Sequence, residues 1–481
     1  MWWRVLVVAL LLVVAAGAGL WWALLPPAPT PPPARGVVLA DVTLVQPGEG
    51  RLAGRRVVVE GGVIRSIGPA EGTDALAGVF ALPGLVDMHV HFPPAMPLGQ
   101  TELFSLLYLA HGVTGVRDAG DADGTSTAPA REGVRAGRFP GPRIFACGPL
   151  VDGPEPRWPN TIVLREPAEA AAAVERIARE GFDCVKVYDS LTPEVLATVR
   201  EAARAQGLPV IGHVPRRVPF EEARLDDVQH LTGVTGSGDL RPFPQTLDRW
   251  RTLDEARIRF VVETSRALGI AHTPTLVSLE RFAAMEDYAA VRESADAKLL
   301  PGLYRDVTWS PTEGLPFLRG RPAAEYALFR DGLERGKTFV ARLHEAGVPI
   351  HAGTDTLLPF LVPGAALQRE VRILAEAGLG PEAALAAATS VPGAALQLAG
   401  LGRLEVGAPA DLALFREDPT RDLAALGTLE AVVADGRLYT RADLEARLAR
   451  YRAHFDGALF DAVSKAATRR VIARMFAQSA E

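Results

Sequence analysis

The stretch Leu82-Pro83-Gly84-Leu85-Val86-Asp87-Met88-His89-Val90-His91 decides how the rest of this chain is read. A mostly apolar run starts at Leu85, and His89 and His91 close it before Phe92-Pro93-Pro94 ends it. Alternate side chains of a strand share one face, so these two imidazoles can reach one ion. Working outward, seven more short apolar runs follow, at 113–118, 143–148, 183–188, 209–214, 227–231, 271–277 and 349–355. Ala/Leu/Glu/Arg helices fit between them, for example at 101–111, 167–180 and 193–206. Strands alternating with helices predict parallel β/α units, and eight of them predict a (β/α)8 TIM barrel over 84–399. The gap from 277 to 349 predicts an insertion over the barrel mouth, where 282–330 with Tyr288, Tyr304, Trp309 and Phe317 suggests a lid; helices at 363–378 and 381–399 follow.

Either side of the barrel the pattern changes. Short β-like runs fill 37–83, with a turn at Gly61-Gly62, and return over 400–440 with Asp435-Gly436 as a hairpin turn. These two regions predict a small β-sandwich domain built from both ends of the body. The last stretch, 441–481, reads as amphipathic helices. At the other end, 5–25 is apolar or glycine without a charge, long enough to cross a ~30 Å hydrocarbon layer. Arg4 precedes it, Trp2, Trp3, Trp21 and Trp22 sit near its ends, and a Pro-rich stalk, 26–33, follows. We expect residues 1–36 to be a membrane anchor and stalk. The rival readings are a signal peptide cleaved near Ala16-Gly17-Ala18 and a buried core helix. The first two send the body out of the cytoplasm, to the face of a bacterial cell membrane or, if cleaved, to the periplasm or medium.

Composition narrows the function. The 481 residues allow two to four domains, and 48% apolar with 22% charged residues excludes disorder as the main state. Lys+Arg number 51 against 57 Asp+Glu, net −6, so no basic excess invites nucleic acid. Two cysteines, Cys147 and Cys184, exclude a disulfide framework and a Cys-type zinc site. Any metal must then be held by His and carboxylate-type ligands. Four other strands end in such residues: Lys186, His213, His230 and Asp355. Each alone is weak, but five strands delivering ligand-type residues to the carboxyl rim of one barrel point to a metal-dependent active site acting on a small molecule. Homo-oligomer formation is left open.

The opening stretch resembles the first-strand signature of the amidohydrolase superfamily. Val185-Lys186-Val187-Tyr188, Gly212-His213-Val214-Pro215, His351-Ala352-Gly353-Thr354-Asp355 and the late 401–412 resemble its imidazolonepropionase- and prolidase-like branch, in the subgroup with lysine on strand four. The resemblance implies two divalent metal ions, zinc first among them. His89, His91 and Asp355 would hold one ion and His213 and His230 the other, with N-carboxylated Lys186 as bridging ligand. It also implies hydrolysis of an amide-like C–N bond of a dipeptide, N-acyl amino acid or cyclic amide by a metal-bridging hydroxide, with Asp355 as general base and then acid. His230 or Tyr188 would stabilise the oxyanion. Alternatives are a mononuclear deaminase using His89, His91, His213 and Asp355, a lactonase or esterase, and a catalytically dead membrane-tethered binding protein. Gln229 stands where the family often has Glu, and Gln368 followed by Glu370 where it often has His, which bears on substrate rather than metals. Tyr188 and His272 are candidate substrate contacts. Arg117 and Asp118 read as a structural ion pair, His351 as lying deeper in the barrel, and His111, His344 and His454 as ordinary helix residues.

Overall fold

The computed structural model describes residues 2–93 and 100–478; Pro94, at the end of the first strand signature, and residues 479–481 lie outside the described residues. In chain order the strands are β1 (Val37–Gln46), β2 (Gly50–Glu60), β3 (Val63–Pro69), β4 (Val79–Pro83), β5 (Leu85–Val90), β6 (Val113–Asp118), β7 (Arg143–Ala146), β8 (Leu150–Asp152), β9 (Thr161–Val163), β10 (Val185–Val187), β11 (Val210–Gly212), β12 (Asp227–Gln229), β13 (Ala271–Thr273), β14 (Leu412–Phe415), β15 (Leu429–Ala434) and β16 (Arg437–Thr440).

The β-rich ends of the body join one another. They form a single seven-stranded sheet, β16-β15-β14-β4-β1-β2-β3, rather than two stacked sheets. The join is β4, which runs parallel to β1 and antiparallel to β14. The sheet encloses a core of its own from Leu39, Val42, Val57, Ile64, Ala81, Leu412 and Val433. Its alternate residues, Leu82, Ala413, Phe415 and Val432, belong to the main core instead, as period-two strands buried on both faces require. The Gly61-Gly62 and Asp435-Gly436 turns both have positive φ at the two central positions, the geometry that a two-residue hairpin needs.

The parallel strands form two sheets, β5-β6-β7 and β9-β8-β10-β11-β12-β13. Asp183 N donates to Ala146 O at 2.7 Å between them. On the other side β13 meets Ile350 in a parallel bridge, and Thr356 bridges to Val90. Met88 N also donates to Ala352 O at 2.9 Å. The order of strands therefore closes on itself, with helices such as Gln100–Ala110, Ala170–Arg179, Pro193–Ala205 and Ala323–Glu345 in the connections.

Several expectations are corrected. The eighth strand is not a ladder but isolated bridges, because Asp355 turns left-handed (φ 64°). The run 271–277 stops at Thr273, since Thr275 (φ 50°) starts a helix at Leu276–Ala284. The helix expected at 381–399 is broken into Gly380–Ala386 and Ser390–Ala395. Cys147 and Cys184 are bonded to each other. Two cysteines exclude a framework but not one bond, and adjacent strands bring these together. Residues Trp2–Leu24 form a helix in which the side chains of Arg4 and several others lie outside the described set. Among the described residues no helix is long and apolar enough to cross a membrane. The proline-rich segment is docked rather than free: Arg447 donates to Thr30 and Pro31, Arg437 to Pro33 O, and Arg35 pairs with Asp435.

Candidate metal centre

The site is built at the carboxyl ends of the parallel strands. On β5, Asp87 and His89 share a parity, and Asp87 accepts from Thr354 N (3.0 Å) and Thr354 Oγ1 (2.7 Å). Asp355 N in turn donates to His89 O at 2.7 Å. This approach needs Gly353: a Cβ there would stand 2.5 Å from Thr273 Cγ2 and 3.0 Å from His89 N. Similarly, a Cβ on Gly212 would lie 2.1 Å from Val187 O, so glycine lets β11 carry His213 close to the lysine strand.

The imidazoles of His89, His91, His230 and His213 then form one chain. Ring centroids are 5.2 Å apart for His89–His91, 4.5 Å for His89–His230 and 5.1 Å for His213–His230. Asp355 faces three of them, 3.5 Å from His89 Nε2, 3.2 Å from His91 Nε2 and 3.8 Å from His230 Nε2. His89, His91 and Asp355 place their donor atoms within 4.8 Å of one another, close enough to hold one ion. Lys186 is 1% exposed, and its Nζ has no hydrogen-bond partner among the described residues. A buried, unpartnered ammonium is costly, and burial pulls its pKa down to about 7. Neutral nitrogen donors, one carboxylate and an orphaned amine are a donor set that fits divalent cations.

Electrostatics agree with that chemistry. Burial, together with the neighbouring lysine and imidazoles, lowers His89 well below the ordinary histidine value, and burial lowers His230 to about 3. Burial also lowers His213. Neutral imidazoles are the ligating form. Burial opposes ionisation of Asp355, but His230 and His91 outweigh it and hold the carboxyl at about 2. His91 moves up instead, because its bond to Asp355 overrides burial. His230, Thr275 and Asp355 all have positive φ without being glycine, a concentration of backbone strain typical of functional sites.

Each imidazole has a dedicated partner on Nδ1, so that Nε2 is the nitrogen turned toward the centre of the cluster. His89 meets Gln229 Oε1 (2.6 Å), His91 meets Gly120 O (2.8 Å), His213 meets Asp189 Oδ1 (2.6 Å) and His230 meets Thr275 Oγ1 (2.7 Å). Glu370 receives Leu276 N and Val277 N, fixing the helix that follows Thr275. Beneath the site Asp227 binds Arg117, Thr273 and His351. Of these partners, Asp189, Thr275 and Asp227 escape the sequence. Asp189 lies directly beyond Tyr188, and its position next to a strand-end ligand is the one signal it gives.

Tyr188 is at the centre. Its ring stacks on His213 with centroids 4.2 Å apart, and its hydroxyl accepts from Trp158 Nε1 (3.2 Å). His272 is not. It is fully buried, bonds Ser265 Oγ at 2.9 Å and lies between Phe220 and Phe339. Thr273 takes the inward position on β13, so its neighbour faces the helices. Arg117 pairs with Asp227, not Asp118, which instead caps Phe92 N, Gly120 N and Thr127 Oγ1. Gln368 donates to His111 O, away from the imidazoles. The insertion's Tyr304 and Trp309 are packed in the core against Phe104 and Phe360 rather than hung as a free flap. A surface cavity of about 480 Å³ lies elsewhere, between the sheet and the helix Arg441–Phe455, and contains none of these residues.

Parallel β/α architecture with a separate sheet domain and a cluster of this chemistry define a hydrolase of the amidohydrolase type. The Amidohydrolase family model matches residues 80–439, and the chain belongs to that family. An uncharacterized protein of Mycobacterium tuberculosis is 27% identical over 436 residues, covering 84% of this chain and 95% of that one. Among solved structures, bottromycin amidohydrolase superposes with a TM-score of 0.73 at 24% identity, covering 88% of this chain and 91% of that one. A Xaa-Pro dipeptidase with bound methionine gives a TM-score of 0.62 at 20% identity, covering 84% and 100%. At these identities the structures establish the fold.

Proposed function

We propose that the chain is a metal-dependent hydrolase of amide-like C–N bonds, working on a complete eight-stranded barrel with two divalent ions, preferably zinc. One observation carries this reading: four imidazoles, Asp355 and an unpartnered buried Lys186 converge from strands far apart in the chain. His89, His91 and Asp355 would hold one ion, His213 and His230 the other. Lys186, near neutrality as an amine, would add CO₂ with loss of one proton and offer a carbamate oxygen to each.

When bound, such cations acidify a water and polarise a carbonyl. The residues supply the rest. Asp355 stays ionised at neutral pH and is placed to take a proton from the attacking water and return it to the leaving nitrogen. Burial lifts Tyr188 to about 12, so its hydroxyl keeps its proton. Because Trp158 donates to that oxygen, the phenol hydrogen is free for a tetrahedral oxyanion, a role His230 could share. Dipeptides, N-acyl amino acids and cyclic amides are the substrate classes, in keeping with the dipeptidase and amidohydrolase among the structural neighbours.

Zinc-loaded protein should hydrolyse members of a dipeptide and N-acyl amino acid panel, and Asp355→Asn should fold but lose most turnover. Wild-type rates in that variant refute the assignment. A second reading, a mononuclear deaminase, is favoured by the compact His89–His91–Asp355 trio. One metal per chain with unmodified Lys186 would select it. We further propose that the body lies outside the cytoplasm, tethered by the segment 5–25 or released by its cleavage. The Cys147–Cys184 bond supports an oxidising compartment.

A further inference from the structure

Arg157 stands on the loop that leaves the carboxyl end of β8, the end of the parallel strands where the imidazoles gather. Both ends of this loop are fastened. Ser190 N donates to Asp152 Oδ1 at 2.6 Å, and a Cβ on Gly153 would stand 2.3 Å from Ser190 O. At the far end Thr161 Oγ1 donates to Trp158 O at 2.7 Å, and Asn160 Nδ2 to Asp121 O at 2.7 Å. Between these anchors Arg157 is exposed. Its guanidinium lies 5.6 Å from the Trp158 ring centroid and 5.9 Å from that of Phe317, which the insertion supplies. Trp158 in turn donates to the Tyr188 hydroxyl at 3.2 Å, and Tyr188 stacks on His213. The cation is therefore two contacts from Tyr188 and three from the imidazole cluster.

Among the described residues Arg157 forms no hydrogen bond and no ion pair; the two aromatic rings are its partners. By contrast, Arg216 is fastened by Asp189 at 2.9 Å and Arg321 by Glu325 at 2.7 Å. A guanidinium against aromatic faces keeps the N–H groups in its own plane free for an acceptor. That planar fork matches a carboxylate, which it can hold by two parallel hydrogen bonds. We infer that Arg157 is a specificity-determining residue that reads a carboxylate on the substrate, favouring dipeptides and N-acyl amino acids over cyclic or neutral amides. The inference deepens the hydrolase reading above and rests on it. Two carriers present this chemistry, the α-carboxylate of the leaving amino acid and an acidic side chain, and the test separates them.

The test uses zinc-loaded full-length protein and three probes: N-acetyl-L-leucine, its methylamide, and the α-methylamide of N-acetyl-L-glutamate. Wild type should favour at least one of the two anionic probes over the neutral one by about tenfold or more in kcat/KM, through KM. Preference for N-acetyl-L-leucine marks the α-carboxylate, and preference for the glutamate methylamide marks the side chain. Arg157→Met keeps an unbranched stem against the two rings without the charge. It should lower kcat/KM on the favoured probe about tenfold, with a much smaller loss on the neutral one. Circular dichroism checks that the variant folds. Titration calorimetry of the same probes with metal-free protein, where no cation can hold a carboxylate, should give the same order. Equal treatment of charged and neutral probes by wild type, or an equal loss on both in Arg157→Met, overturns the inference and leaves the hydrolase reading standing. Absence of hydrolysis across the dipeptide and N-acyl amino acid panel overturns that reading, and the calorimetric order then decides by itself whether Arg157 reads a carboxylate.

Discussion

Asp227→Asn should cost the protein about 3–5 kcal/mol of stability, the penalty for breaking a buried ion pair from one side. Asp227 is 3% exposed and Arg117 4%. The carboxylate meets Arg117 Nη2 at 2.5 Å, His351 Nδ1 at 3.0 Å and Thr273 Oγ1 at 2.8 Å. Arg117 Nε donates to Met88 O, so the guanidinium cannot swing out to water without breaking the β5 neighbourhood. Asparagine keeps the volume and one acceptor, but it leaves the cation in the interior with no counter-charge. The assay is urea unfolding of metal-free protein, which removes the stabilisation that bound ions would add. Arg117→Met combined with Asp227→Asn should recover much of the loss, because the pair as a whole is worth far less than either half left alone. Acid provides an independent check. Burial opposes ionisation of Asp227, but Arg117 and His351 hold it well below the usual range. A depressed carboxyl stabilises above its unfolded pKa of about 3.9, and that contribution is lost as pH falls toward the folded value. The gap between wild type and Asp227→Asn should therefore shrink below about pH 4. A loss under about 1 kcal/mol at neutral pH would refute the reasoning, since that is the worth of an exposed pair.

Lys186→Ala should release at least one metal equivalent by elemental analysis, and short carboxylic acids should restore part of the turnover; full metal content in the variant would remove the bridging role. Replacing Cys147 and Cys184 together by Ser opens a cross-link across 37 residues, which chain entropy puts at about 4 kcal/mol in thermal or urea unfolding. Both sulfurs are buried, so dithiothreitol should expose no thiols until the protein unfolds, and rapid labelling of the native state would contradict this packing. His272→Leu should cost under about 1.5 kcal/mol and leave kcat/KM unchanged; a large fall in turnover would reinstate it as a substrate contact.

The proposed ligands were legible in the sequence because of where they stand. A mostly apolar strand that runs into His, Lys or Asp points to the rim of a parallel ring; His89, His91 and His213 show this most plainly, whereas His230 follows Asp227-Val228-Gln229 and Lys186 lies within Val185–Val187. Their partners follow no such rule. Thr275 reaches His230 from the next strand through a left-handed turn, and Asp227 gathers residues from β6, β13 and the 350s. Neither connection has a period that the chain could display. His272 was misplaced for a related reason: three residues of strand, Ala271–Thr273, give too short an alternation to say which parity faces in. The two cysteines needed the strand order before their spacing meant anything. The single sheet in place of a sandwich turns on β4, whose five residues pair with partners nearly 40 positions upstream and over 300 downstream.

The layers below and around the centre explain why its strain persists. His230, Thr275 and Asp355 hold left-handed backbones that cost a non-glycine residue about 1–3 kcal/mol each. Such conformations survive where the surroundings leave no cheaper choice. Asp355 is fixed because Asp87 grips Thr354 by both its amide and its hydroxyl, and His89 O receives Asp355 N. Thr275 is fixed because Glu370 receives the two amides that follow it. Burial raises Glu370 to about 8 and Asp87 to about 7, so both acids sit in the interior at some electrostatic cost in order to hold the turns that aim His230 and Asp355. The same turns bring Asp355 within reach of three imidazoles at once. Stability is thus spent in two layers: as backbone strain at His230, Thr275 and Asp355, and one layer out as the burial of Asp87 and Glu370.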